Sequence, residues 1–265
     1  MVGMRDVAKK AGVSLSTVSL VVNGAGCVSD DMRERVAEAM SALNYVPNEL
    51  ARNLYHDCTN LVGVIVPTIR HPFFATFTAH LQHALAAQGL RTMLCSTTDE
   101  TDGEIQYVDM LRRHMMDGIV MCAHTSHPGD YWTSIHRPIV AFDRVLGNGI
   151  SSIGSDHEQG GRLIAQMLIR NGARHVVMIG GPRDQFFDLA VRGEVEEGSF
   201  DLGKTTFPTV RYYLTLEQEL TSAGVKYEYI EAGEVMDFAG YHRAVSRALD
   251  GVATDGVDAV VSSDI

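Results

Sequence analysis

The feature that most constrains this chain is a short stretch near its start, RDVAKKAGVSLSTVSLVVN, running from Arg5 to Asn23. Val7, Ala8 and Ala11 fall on one face of a helix predicted over residues 6–11, and Gly12 supplies the left-handed backbone needed to leave it. Ser14 is a natural N-cap for a second helix, along which Val18, Val21 and Val22 repeat at i, i+3, i+4. Leu15, Ser16, Ser19 and Leu20 then face outward. A third helix follows: Ser29 caps it, Asp30 and Asp31 sit against its positive end, and Met32, Val36, Met40 and Leu43 share a face. Asn44 is a plausible left-handed stop. Three small helices of this kind bury one compact core. The tight pair at the front is a helix-turn-helix, which presents the N-terminal part of its second helix to the major groove.

Beyond residue 60 the pattern changes to alternating strands and helices. Strands are predicted over 61–66, 90–96, 118–122, 138–142, 175–179, 225–230 and 257–262. Helices are predicted over 73–88, 102–116, 158–170 and 238–249, with a short one near Tyr131. Repeated βα units imply parallel sheets covered by helices on both faces, so the fold class is α/β behind a small all-α head. A chain of 265 residues accommodates about two such domains. Cys27, Cys58, Cys95 and Cys122 are scattered without paired spacing, which argues against a disulfide framework or zinc site and fits a reducing cytoplasm. The opening Met-Val-Gly-Met-Arg-Asp has no apolar core of a secretory leader, and no run approaches the ~18 apolar residues of a membrane helix.

Residues 5–54, with DVAKKAGVSLSTVSLVVN, the Val-Ser before helix three and NYVPNELARNL, resemble the LacI/GalR family of bacterial transcription regulators. The resemblance implies a head over residues 1–47, a hinge helix and linker over 48–60, and a two-lobed, periplasmic-binding-protein-like sensor over 61–265. It implies a homodimer on a palindromic operator, tuned by a small sugar-like metabolite. DNA contacts are then expected from Arg5, Ser14, Leu15, Ser16, Thr17, Ser19, Leu20, Asn23, Tyr45, Asn48, Arg52 and Leu54. Of these, Leu54 matches the hinge leucine that wedges into the minor groove. Leu20 departs from the family, where arginine is usual. Arginine reads guanine bidentately, whereas leucine meets a thymine methyl or packs. Effector contacts are expected from Phe73 or Phe74 in Arg-His-Pro-Phe-Phe, from Asp143 and Asp264 at strand ends, and from Arg192 beyond Gly-Gly-Pro182.

Two further departures stand out. Residues 193–214 interrupt a stretch that family members run as one helix, and Phe207-Pro208 is expected to break any helix there. The sequence also stops at Ile265 inside a strand-end motif, so the second lobe is expected to be incomplete and its last strand loosely held. Net charge is −11 overall but only −1 over residues 1–57, so the head is not basic. DNA affinity is expected to lean on hydroxyls, helix ends and dimerisation rather than on cations. Gly198 to Thr205 matches a phosphate-loop pattern, but it lacks the strand before and the helix after that such a loop needs. His124 and His127 make only an i, i+3 pair, no catalytic triad or acid pair is present, and no cofactor is expected. The chain reads as a regulator, with a solute-binding protein, an NTPase and a truncated regulator without function as the alternatives.

Overall fold

The computed structural model describes residues 2–47, 58–97, 103–123, 127, 130–183, 208–233, 238–254 and 256–262. The chain divides into two compact units, Met1–Thr59 and Asn60–Ile265.

In the first unit, α1 (Met4–Ala11), α2 (Leu15–Val22) and α3 (Asp30–Ala42) enclose Val7, Ala8, Ala11, Val18, Val36 and Ala39. The local signals act as the sequence suggests. Gly12 takes φ +65°, and its N–H returns to the Ala8 carbonyl. The Ser14 side chain accepts from the Thr17 amide at 3.0 Å, and Ser29 accepts from Met32. Asn44 stops the third helix with φ +47°. Arg35 reaches back from α3 to the end of α1, donating to the Ala11 carbonyl at 2.7 Å and the Gly12 carbonyl at 3.2 Å. Those carbonyls have no partner within α1, so the guanidinium acts as a cross-helix C-cap.

The second unit holds two parallel sheets. The first is built from β1 (Leu61–Val66), β2 (Arg91–Ser96), β3 (Gly118–Met121), β4 (Ile139–Phe142) and β5 (Ser151–Ile153), in the order β2-β1-β3-β4-β5. Strand β1 is apolar throughout because both faces are covered. On one side Phe74, Phe77, Leu81 and Leu85 of α4 (Pro72–Ala87) pack on Val64 and Val66. On the other, Val108 and Leu111 of α5 (Ile105–Arg112) join Ile65, Met121, Trp132 and Ile139. Strand β5 was not anticipated; Ser-Ser-Ile is short, exposed and lacks an apolar pattern.

The second sheet runs β7 (Lys226–Glu231), β6 (His175–Gly180), β8 (Ala259–Ser262), with β6 buried along its whole length. Helices α6 (His157–Arg170) and α7 (Pro208–Ser222) cover one face through Ala165, Leu168, Val210, Tyr213, Leu216 and Leu220. Helix α8 (Phe238–Thr254) covers the other through Ala244 and Ala248. Gly161 allows α6 to lie against α7, since a Cβ there would sit 2.6 Å from the Tyr212 carbonyl oxygen.

Helix α7 corrects the sequence reading. No helix was expected to start at Pro208, yet it begins one of 15 residues; residues 193–207, where the interruption was expected, lie outside the described residues. At a first helical position the missing N–H has no intrahelical partner to lose, and the ring already holds a helical φ. Pro72 opens α4 in the same way, behind a His71 cap whose Nδ1 accepts from the Phe73 amide at 3.2 Å.

Candidate nucleic-acid interface and ligand cleft

Helix α2 offers an outward face with no charged side chain. Leu15 and Leu20 are 44% and 40% exposed, with Ser16 beside them. Three hydroxyls close on one another: Ser14 Oγ lies 2.7 Å from Ser16 Oγ and 2.8 Å from Thr17 Oγ1. Ser14 Oγ already accepts from the Thr17 amide, so it can accept from one of these hydroxyls and must donate to the other. The hydroxyl that accepts keeps its own proton for an outside oxygen. Asn23 Nδ2 donates to Ser19 Oγ at 3.2 Å, bracing the end of the helix.

Arg5 is exposed on the first turn of α1, and Lys9 and Lys10 are exposed on its last. Arg33 and Arg35 are engaged internally, donating to Val28 and to Ala11 and Gly12. Tyr45 packs against the head core. Asn48, Arg52 and Leu54 lie outside the described residues.

At the carboxyl ends of the first sheet's strands stands an aromatic wall. Phe73 is 48% exposed, whereas Phe74 is half-buried. Phe73 stacks on Phe77 and Phe142 at 6.2 and 6.1 Å between ring centroids, and Phe77 meets Phe142 at 4.2 Å. Asp143 follows Phe142 with a left-handed φ of +49°. Its Oδ1 accepts from His157 Nε2 at 2.9 Å and from the Ser155 amide at 3.2 Å. Arg144 Nη1 donates to the Asp143 carbonyl at 2.6 Å. Burial alone would raise the Asp143 carboxyl. The His157 hydrogen bond and charge, the Ser155 amide and Arg144 outweigh it and hold the carboxyl below its ordinary value. Beneath it, burial pushes the Cys122 thiol up to about 12 despite the nearby Arg144, so the thiol stays protonated.

Asp143 thus joins β4 to the first turn of α6, a helix that covers the second sheet. His157 gave no signal of this in the sequence, because a histidine behind Ser-Asp reads as part of a helix start. Arg192, Asp264 and the Gly198 loop lie outside the described residues, as does His124. His127 bonds Glu104 at 2.7 Å and stacks on Tyr131. No group of three metal-ligating side chains occurs among the described residues, and no helix there is long and apolar enough to cross a membrane.

Residues 3–48 match the family of bacterial regulatory proteins, lacI family, and residues 59–202 match the periplasmic binding proteins and sugar binding domain of the LacI family. The chain belongs to the lacI family. A sucrose operon repressor of Streptococcus mutans serotype c is 38% identical over 178 residues, covering 67% of this chain and 55% of the relative. A ribose operon repressor of Bacillus subtilis is 34% identical over 183 residues, covering 69% of this chain and 55% of the relative. The lacI-family chain described here therefore spans about half the length of the curated relatives it matches. Its fold is that of a lac repressor dimer solved on operator with an anti-inducer, at TM-score 0.74 and 21% identity over 100% of this chain and 74% of the other. A LacI-family regulator from Silicibacter pomeroyi aligns at TM-score 0.72 and 22% identity, over 99% of this chain and 74% of the other. The resemblance seen in residues 5–54 and the parallel-sheet architecture behind them are both confirmed.

Proposed function

We propose that this lacI-family chain is a DNA-binding transcription regulator, a repressor by analogy with its relatives, that grips a palindromic operator as a homodimer under control of a sugar-like metabolite. One observation carries this reading: a helix-turn-helix match and a sugar-binding-domain match follow one another along a single chain. The open face of α2 supports the first half of it. Residues 14–17, 19, 20 and 23, with Arg5 and Tyr45, form the DNA-facing set, extended by Asn48, Arg52 and Leu54 in the hinge. In the sensor, the aromatic wall of Phe73 offers a face for sugar C–H groups. Asp143 Oδ2 offers an acceptor for one hydroxyl, with Arg192 and Asp264 completing the set. An effector that favours one sensor closure changes operator affinity by its differential affinity for the two closures. Such a protein works in the cytoplasm, on the nucleoid.

Footprinting tests the reading. A two-fold symmetric protected site is expected, and addition of sucrose or ribose should shift its occupancy if either is the effector. An asymmetric patch would remove the dimeric-operator model. With Arg5, Lys9 and Lys10 as the exposed cations of each described head that donate to no carbonyl of the head, log K should fall against log salt with a slope of about −5 for two heads.

A further inference from the structure

We infer that the recognition helix reads its operator chiefly through thymine methyl groups, with Leu15 and Leu20 as the base-sensing side chains. This rests on the DNA-binding reading above and names the chemistry of that same surface.

Helix α2 carries no Lys, Arg, Asn or Gln between Leu15 and Val22, so it has none of the side chains that read guanine or adenine bidentately. The hydroxyls of Ser16 and Thr17 bond the N-cap Ser14, and Ser19 accepts from Asn23, so the polar groups of this face bond one another apart from one hydroxyl proton, which suits a phosphate as well as a base. The apolar groups of the face are two leucines, each more than a third exposed although the head core lies one turn away. In the major groove the apolar feature of a base edge is the thymine C5-methyl, and leucine can discriminate by covering it.

Leu20 is also held in place. A Cβ at Gly26 would lie 3.3 Å from Leu20 Cδ2 and 3.6 Å from Cδ1, so the isobutyl group rests on the glycine backbone. Gly26 has φ +70°, a conformation suited to glycine, and the Ala25 amide returns to the Leu20 carbonyl at 3.0 Å. One flank of Leu20 is buttressed by this loop and the other is open. A side chain fixed before binding loses less rotamer freedom on contact, which sharpens an otherwise weak apolar readout.

The experiment is a selection of the full chain on a randomised duplex library, followed by affinity measurements on the enriched site. Each thymine is replaced in turn by deoxyuridine, which removes the methyl and nothing else. One or two positions per half-site should lose about fourfold in affinity, the effect of one buried methyl-sized group. At one of them Leu20→Ala should abolish the difference between thymine and deoxyuridine, and Leu20→Arg should shift the selected base toward guanine. Circular dichroism of both variants checks that the head stays folded, as an exposed position allows. An enriched site at which no deoxyuridine matters overturns the methyl readout while leaving DNA recognition intact. An unchanged methyl effect in Leu20→Ala removes Leu20 from the base contacts. If no site is enriched, the DNA-binding reading itself fails.

Discussion

Helices α4 and α7 start alike and are used differently. Both open on a proline and place bulky apolar residues at helical spacing. In α4 only Thr78 is buried, whereas α7 buries Val210, Tyr213, Leu216 and Leu220 almost completely. The cause is the number of neighbours. Helix α4 lies on the first sheet with alanines at 75, 79, 84, 86 and 87 facing out, whereas α7 is held between the second sheet and α6. The same local code therefore specifies a helix in both places, and the second layer decides whether it is surface or core.

The strongest way to break this comparison is to truncate one leucine in each helix. Leu216→Ala should lower unfolding free energy by about 2–5 kcal/mol, whereas Leu81→Ala, half-buried in α4, should lower it by about 1 kcal/mol. Urea midpoints decide it, and equal losses would mean that α7 is no more a core helix than α4.

Next in size is the link between the two halves that carry these helices. Removing the Asp143 carboxylate with Asp143→Ala should cost about 1.5–3 kcal/mol, since it strips charge-assisted bonds from His157 and Ser155. The sign with pH follows from a native carboxyl held below its unfolded value. Its contribution is complete above about 3.9 and is lost as pH falls through the lower native value. Acid titration of stability should show that limb in the native protein, and the variant should lack it.

Gly161→Ala should cost about 1–3 kcal/mol by forcing α6 away from the Tyr212 carbonyl, against less than about 0.5 kcal/mol for Ala79→Ser on the outside of α4. Thermal melts of the pair would sharpen the contrast. The smallest expected effect has the opposite sign. Tyr227 packs against the α7 core with its hydroxyl buried and no hydrogen-bond partner among the described residues. Tyr227→Phe should therefore stabilise the protein by roughly 1 kcal/mol, and a loss instead would reveal a partner for that hydroxyl.

The sequence disclosed most where the physics is local. Gly12, Ser14, Ser29 and Asn44 act within one turn of themselves, so the head could be read helix by helix. Helix α7 was hidden because Pro208 was taken as a breaker. Yet β6 and β7 pair in parallel, which requires a crossover of a dozen or more residues between them. That argument, applied to the predicted strands 175–179 and 225–230, would have asked for the helix. The Asp143–His157 pair and the seat of Leu20 on Gly26 depend on chain segments that meet only in the folded protein, and no periodicity announces them. Within the candidate sites, residue types were legible but their partners were not.

The carbonyl-bound guanidiniums of Arg33 and Arg35 bear on how such a head, if it binds DNA as proposed, would find its target in a chromosome. Non-operator DNA holds a protein almost entirely through its phosphates. Each arginine committed to a carbonyl of the head is one fewer to hold the protein on the wrong sequence. On that proposal the stay on random duplex would be brief, one-dimensional travel along the DNA short, and the search weighted toward repeated three-dimensional encounters. Operator occupancy would then depend less on total genomic DNA as a competing sink, and few copies per cell would keep a site filled.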